Sequence, residues 1–331
     1  MFDIADQVRR WLDAGRDVRV AQVITMRGLS SREPAAAGAW TPGEPPVGRL
    51  LVGADVLDRP EPRLVDVSIS DDEAVAAGLA CGGSASVLVQ RAAAYPAELW
   101  TRLAEREPVC VVSRIAADGR AEDTRVFGPH TIGEASGPGS DGDRVPRLFG
   151  RGTTSAELLE FAGERLAVVA LWPVPRLLVV GDGLIAAALA GAADLLGWTS
   201  VVTPEAVPAI KVVADLNASD AVVVLSHDRD VDGPVLAAAL AGRSGYVGGL
   251  GAQHTQAARR EWLSAHGVAE SDQARIHGPA GLDVGAHSPA EIAVSIVAEI
   301  LANRAGTRGG SLRERPGPVH TAGVSAPPPR Y

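Results

Sequence analysis

The sequence predicts an α/β protein in two parts: a smaller mixed α+β domain at residues 1–172, then a doubly wound parallel sheet at residues 176–305. Three observations lead there. A chain of 331 residues holds about two domains of roughly 150 residues each. The stiff connector Trp172-Pro173-Val174-Pro175 separates two kinds of text. Beyond it, short wholly apolar runs alternate with helical segments, as strands buried on both faces of a parallel sheet require.

In the first part, Ile4, Val8, Trp11 and Leu12 recur at helical spacing over Ile4 to Asp13, and the β-branched run Val18 to Thr25 follows as a strand. Arg27 to Pro46 is rich in Gly, Ser, Pro and Ala and reads as a loop or an irregular hairpin. Short strands are expected at Arg49–Val52, Arg63–Val67 and Ser84–Val89, with a helix between the last two over Ser70 to Gly78, where Ser70 and Glu73 form a helix-start signature. Val109–Ser113 and Thr124–Phe127 flank the turn Ala117-Asp118-Gly119-Arg120 and predict a hairpin. Residues 134–147 hold almost nothing apolar and predict a mobile loop, and Ala167 to Leu171 is the last strand before the connector.

In the second part, Arg176 to Val180 is an apolar strand ending in Gly181-Asp182-Gly183, with a helix running on to Leu196. Strands follow at Thr199–Val202, Ala221–Leu225 and Gly245–Val247, with helices at Pro234–Ala241 and Thr255–Ala265. The last helix opens on Ser288-Pro289-Ala290-Glu291, a capping box with proline at its first position, and carries Ile292, Ile296 and Ile300 on one face. Gly306 to Tyr331 is rich in Pro and Gly and predicts a disordered tail.

Composition excludes several classes of function. With 46% apolar and 21% charged residues the chain is not disordered as a whole. No run reaches the roughly 18 uncharged apolar residues of a membrane span, and the acidic start Met1 to Asp6 is unlike a signal peptide, so a cytoplasmic protein without membrane contact is expected. A net charge of −9 without a basic stripe argues against nucleic acid as a partner. The two cysteines, Cys81 and Cys110, form no CxxC pair, and His254, His277 and His287 lack metal-ligand spacing, so a zinc enzyme is not expected.

Candidate binding residues cluster in three places. Gly181, Gly183 and Ala186 fit a strand-turn-helix phosphate loop: a tight turn, close backbone approach, and helix-sheet packing, with the helix N-terminus offering N–H donors. The same glycines would equally suit packing alone. The acidic ribose ligand expected after the next strand is displaced, since Thr203-Pro204 stands there and Glu205 comes about two residues late. Ser226, His227 and Asp228 follow one strand directly, and Gly248, Gly249 and Gly251 follow another, so both should line the crevice at the carboxyl ends of the sheet. His227 is the candidate proton donor, phosphate contact or ligand, with a structural role as the alternative. The third place is Cys81-Gly82-Gly83, where two glycines open the approach to a thiol, whereas Cys110 lies in an apolar strand and reads as a small buried hydrophobe.

The order of these pieces resembles the XdhC/CoxI family, accessory proteins of molybdenum hydroxylases such as xanthine dehydrogenase and carbon monoxide dehydrogenase. The similar text is Asp71-Asp72-Glu73 leading to Leu79-Ala80-Cys81-Gly82-Gly83, the entry to Gly181-Asp182-Gly183, and Val224-Leu225-Ser226-His227-Asp228. It continues through Tyr246 to Gly251, His277 to Gly285 and Pro289-Ala290-Glu291-Ile292-Ala293. The resemblance implies a Rossmann-like C-terminal domain and a non-catalytic chaperone. Such a chaperone binds the molybdenum cofactor, as molybdopterin or its dinucleotide form, helps it receive sulfur from a cysteine desulfurase, and hands it to the apo-hydroxylase. It implies a phosphate site on the glycine loop and a molybdenum contact at Cys81. The family's second cysteine stretch corresponds to Leu51-Val52-Gly53-Ala54-Asp55-Val56, which has none, so Cys81 is the candidate thiol. The expected assembly is a homodimer. An NAD(P)-dependent oxidoreductase and a degenerate partner-binding scaffold are the alternatives. The first is weakened by the displaced acidic residue and by Lys211 being the sole lysine, which leaves no Tyr-x-x-x-Lys pair.

Overall fold

The computed structural model describes residues 1–27, 35–48, 62–69, 83–135, 143–161 and 163–314. The first helix, α1 (Ala5–Asp13), turns Ala5, Val8 and Trp11 inward and leads to β1 (Arg19–Arg27). Around β1 stands an antiparallel sheet with β2 (Ala37–Trp40), β3 (Val47–Gly48), β4 (Arg63–Ile69) and β5 (Gly83–Arg91), in the order β3-β2-β1-β5-β4. Period-two alternation explains its two faces. Val20 and Ile24 of β1 enter a core with α1, while Ala21 and Val23 pack on the other side with Val87 and Val89. The register shifts between Val23 and Thr25, so Ile24 has no counterpart on β5 and bends the strand as a bulge.

A second antiparallel sheet, in the order β7-β6-β9-β8, contains β6 (Val109–Ile115), β7 (Ala121–Phe127), β8 (Ser155–Phe161) and β9 (Glu164–Leu171). Helix α2 (Glu98–Ala104) shares the first core with α1, burying Leu99, Trp100 and Leu103. Residues 134–147 are not loop throughout. Helix α3 (Arg144–Phe149) begins inside them and closes the far face of the second sheet, because Val145, Leu148 and Phe149 supply a short apolar stripe over Cys110 and Val168. Likewise the Arg27 to Pro46 segment contains β2, whose small residues Ala37 and Ala39 let it lie close beside β1. The strand expected at Arg49–Val52 and the helix expected at Ser70–Gly78 lie outside the described residues.

The C-terminal domain is a five-stranded parallel sheet in the order β11-β10-β12-β13-β14: β10 (Arg176–Val180), β11 (Thr199–Thr203), β12 (Ala221–Val224), β13 (Tyr246–Gly249) and β14 (Ile276–His277). Leu177, Val179, Ala221 and Val223 face α4 (Gly183–Leu195) and α9 (Pro289–Arg304). Leu178, Val180, Val222 and Val224 face α5 (Ala206–Ala214), α6 (Arg229–Ala241) and α7 (Gln253–Ala265), and the short α8 (Glu270–Gln273) precedes β14. This is the doubly wound arrangement, and strand order reverses between β10 and β12, where such sheets open a crevice at their carboxyl ends. The fourth expected strand, Gly245–Val247, is shifted to Tyr246–Gly249. Ser288 and Glu291 form the capping box of α9. The stretch read as a disordered tail begins by staying on the domain: Thr307 N–H bonds Ala302 O, and Gly309 lies where a Cβ would stand 2.6 Å from Leu282. No helix among the described residues is long and apolar enough to cross a membrane.

Arg106 ties the two domains together. Arg106 takes a left-handed φ of 56° just past the end of α2, where glycine is the easier residue. Its side chain explains the exception. The guanidinium donates twice to the fully buried carboxylate of Asp220, at 3.2 Å each, and to Val174 O at 2.7 Å in the connector. Asp220 also accepts from the backbone N–H groups of Arg176 and Asn217, so one carboxylate fixes connector, first strand and α5–β12 turn.

Cys110 is fully buried, and burial pushes its thiol up to about 12, far from a reactive thiolate. Cys110→Ser should therefore lower stability by roughly 1 to 3 kcal/mol, because a hydroxyl enters an apolar layer. A thermal melt beside the parent protein measures this, and an unchanged melting temperature contradicts the packing role.

Candidate functional site

The glycine turn after β10 is built for close approach. Gly181 has φ +139°, and a Cβ there would stand 2.9 Å from the Cβ of Leu225, so only glycine lets the ends of β10 and β12 meet. Gly183 has φ +81° with open space in front of it, and Ala186 is buried in the layer between α4 and the sheet. Asp182 is the N-cap residue of α4 and makes no capping bond with its side chain. At the end of β12, Ser226 Oγ accepts from Asp228 N–H at 3.0 Å, and Asp228 caps α6 through Asp230 N–H at 2.9 Å. Both side chains thus shape the turn, and His227 projects from it, exposed.

Gly248 and Gly249 owe their identity to packing. A Cβ on Gly248 would stand 2.7 Å from the Tyr246 ring, and one on Gly249 would stand 2.8 Å from Arg259 Nη1. That arginine is the residue sequence reasoning missed. Arg259, on α7, is buried, and its guanidinium meets the buried Asp232 carboxylate of α6 at 2.7 Å. It donates also to Ser226 O at 2.8 Å and to Leu250 O at 2.6 Å. One cation therefore ties the turns after β12 and β13 to two helices. One turn earlier, Gln256 Nε2 donates to Gly249 O and Gly251 O. Burial pushes the Asp232 carboxyl above its usual range, and the Arg259 charge pulls it back only in part. The sequence signal was the spacing Gln256, Arg259, Leu263, which sets an arginine on the inward stripe of a helix.

Two cavities open at this end of the sheet and meet at His227 and Ala252. The first, of about 840 Å³, runs along Leu250, Gly251 and residues 279–287 to Ile292 and Ser295 on α9. The second, of about 690 Å³, is lined by Arg229, His254, Thr255 and the buried Asp232–Arg259 pair. The N-termini of α6 and α7 lie at the second cavity, adding their positive dipole ends to Arg229 and the two imidazoles. It is suited to an anion, whereas the first has mostly apolar and backbone walls. Of the residues singled out from sequence, His227 and Gly251 line cavities, while Gly181, Gly183, Ala186, Ser226, Asp228, Gly248 and Gly249 frame the same end without lining either one. Gly83 begins β5, paired with Ile69, and Cys81 and Gly82 lie outside the described residues.

The wall formed by residues 279–287 is held by Glu299 of α9. Its carboxylate accepts from Tyr246 Oη at 2.6 Å and Gly281 N–H at 2.7 Å, and His277 Nδ1 lies 3.0 Å away, its ring stacked on Tyr246. Burial pushes Glu299 up, but these bonds outweigh it and hold the carboxyl below its usual range. Burial first, and then the Glu299 carboxylate, push the Tyr246 hydroxyl up. Among the described residues no group of three or more His, Cys, Asp or Glu could hold a metal ion.

Residues 177–300 match the XdhC Rossmann domain. That stretch is therefore an XdhC-type Rossmann domain. The chain is 31% identical over 132 residues to the molybdenum cofactor insertion chaperone PaoD of Escherichia coli strain K12, covering 40% of this chain and 41% of PaoD. The chain is also 26% identical over 206 residues to the uncharacterized protein YqeB of the same organism, covering 55% of this chain and 37% of YqeB. It thus spans less than half the length of the curated relatives it matches. A solved structure from Bacillus halodurans, described as a xanthine dehydrogenase, shares 20% identity over 93% of this chain and 98% of that one, with a TM-score of 0.45, a likeness too loose to bear on function.

Two outcomes follow for the XdhC domain. Arg259→Met should cost about 3 to 5 kcal/mol by leaving the Asp232 carboxylate buried without its cation, and the double variant with Asp232→Leu should recover most of that loss. Urea melts of the three proteins check it, and equal losses in single and double variants contradict the pairing. Because the folded Glu299 holds its proton less tightly than an unfolded glutamate, its stabilisation is complete above the ordinary carboxylate pKa and is lost as pH falls through the lowered folded value. Glu299→Gln should therefore lose roughly 1 to 3 kcal/mol at pH 7 and show a shallower acid limb between about pH 5 and 3. Melts across that range read both.

Proposed function

We propose that the chain is a molybdenum cofactor binding and delivery chaperone that loads an apo molybdenum hydroxylase of the xanthine dehydrogenase type. The observation that carries this reading is the pair of cavities meeting at His227 within an XdhC Rossmann domain. The donor set fits a pterin bearing a phosphate. The larger cavity offers mostly apolar walls, Leu250, Leu282, Val284 and Ile292 among them, for a fused ring. The smaller one offers Arg229, His227, His254 and two helix N-termini for a phosphate or pyrophosphate. When bound, the cofactor supplies a molybdenum centre for the client's hydroxylation chemistry. This chain's residues bind it, orient it and shield it from water.

In this reading Cys81 offers a soft thiolate toward the metal, a cysteine desulfurase provides the sulfur, and the working form is a homodimer. The alternative of NAD(P) is less favoured. The end of β11 presents Thr203, and Glu205 is the N-cap of α5, so no acidic side chain stands where a ribose diol is held in dinucleotide sites.

Purification of the full chain from cells that make molybdenum cofactor, followed by release of fluorescent pterin and metal analysis, tests the proposal. Pterin and molybdenum near one per chain are expected, with activation of an apo-hydroxylase on mixing. Arg229→Glu should lower retention at least tenfold by setting a carboxylate against the phosphate. Gly183→Asp should do so only if the phosphate sits at the glycine turn instead, so the two variants separate the sites. Cys81→Ser should lower retention and client activation without changing the melt. Absence of pterin together with saturable NAD(P) binding would favour the oxidoreductase reading.

A further inference from the structure

At the opposite end of the parallel sheet, between the two domains, lies a cavity of about 510 Å³. Its walls come from α2 and the segment after it (Arg102, Glu107), the turn after β7 (Gly128, His130, Thr131) and the turns before β12 and β13 (Asn217, Arg243). It lies at the amino ends of the strands and shares no residue with the cavities at His227.

The arginines at this boundary are accounted for, with one exception. Arg106 holds Asp220, Arg304 donates to Gly152 O, and Arg243 meets Glu107 at 3.2 Å. Arg102 is half-buried, and among the described residues its guanidinium has no hydrogen-bond acceptor and no carboxylate partner. It lies directly over Gly128, where a Cβ would stand 2.5 Å from Nη1. Gly128 does not have a positive φ, so the turn does not demand glycine for its conformation. The missing side chain instead leaves room for the guanidinium at the cavity wall. With Arg102 and Arg243 against the single carboxylate of Glu107, the lining carries an excess positive charge. A partly desolvated guanidinium without an acceptor is costly unless something completes it.

We propose that this interdomain cavity is an oxyanion site, taking the phosphate or carboxylate of a small metabolite against Arg102, with Arg243 as the second cation. Guanidinium forks match both groups in geometry. A ligand there touches both domains, so occupancy stiffens their junction beside the Arg106–Asp220 tie.

Isothermal titration of the full chain with inorganic phosphate and, separately, with malonate, at constant ionic strength, tests the site and tells the two chemistries apart. One saturable site per chain is expected for at least one of the two anions. Arg102→Gln should weaken it at least tenfold, Arg102→Lys should weaken it less, and Arg260→Gln, an exposed arginine of α7, should leave it unchanged. Arg229→Gln keeps this site intact while damaging the crevice at the other end of the sheet. Binding that survives Arg102→Gln but is lost in Arg229→Gln assigns the anion to that crevice and overturns the inference, as does the absence of saturable binding by either anion. Should Arg102→Gln fold poorly, phenylglyoxal labelling of the parent protein read by mass spectrometry gives the same decision. The anion that binds must slow modification of Arg102 and not of Arg260, and equal rates with and without it contradict the site.

Discussion

The guanidinium of Arg259 is the interaction on which the crevice depends. A parallel sheet delivers its strands to one end but does not determine how the turns beyond them are held, and turns are the least constrained part of such a fold. Here one buried cation bonds the carbonyls of Ser226 and Leu250 and the carboxylate of Asp232, so the turns after β12 and β13 have little independent freedom. The cost is a carboxylate and a guanidinium taken out of water together. Such a pair adds little to stability compared with apolar residues of the same shape, yet removing one partner is expensive. Its value here lies in geometry: it fixes a floor under His227, at the junction of the two cavities.

A comparable logic governs the other wall. Glu299 gathers a tyrosine hydroxyl, a histidine and a backbone N–H, and so attaches residues 279–287 to α9. The domain junction uses Asp220 in the same manner. In each case one carboxylate collects donors from segments far apart in the chain, which gives each loop a defined position without lengthening any helix or strand. The XdhC domain is thus rigid where the cavities need walls, while His227, Arg229 and His254 stay exposed at the rim.

The doubly wound sheet was legible because β12 and, past Arg176, β10 are apolar throughout and alternate cleanly between the two helical layers. Elements with mixed signals were harder. Helix α5 reads Ala-Val-Pro-Ala-Ile-Lys-Val-Val-Ala, where a proline and β-branched residues hide a nine-residue helix that tertiary packing supports. Helix α6 begins at Arg229, five residues before the expected Pro234, because Asp228 caps it and the proline is accommodated inside. The end of β13 was cut short because Gly248 and Gly249 have no strand propensity of their own, and only the Tyr246 ring and Arg259 lying over them explain their place in the sheet. In the site, the glycine turn and His227 followed from local pattern. Asp232 and Arg259 did not, since they stand 27 residues apart on different helices and become partners only in three dimensions.

The central claim is that the molybdenum cofactor occupies the two cavities at the carboxyl ends of the strands. Hydrogen–deuterium exchange on cofactor-loaded and cofactor-free protein tests it most directly, because it reports where along the chain the ligand lies. The account predicts slowed exchange in residues 226–232, 250–258 and 279–287 on loading, with the amino ends of the strands unchanged. Protection confined to the N-terminal domain, with those three segments exchanging equally in both forms, would contradict it.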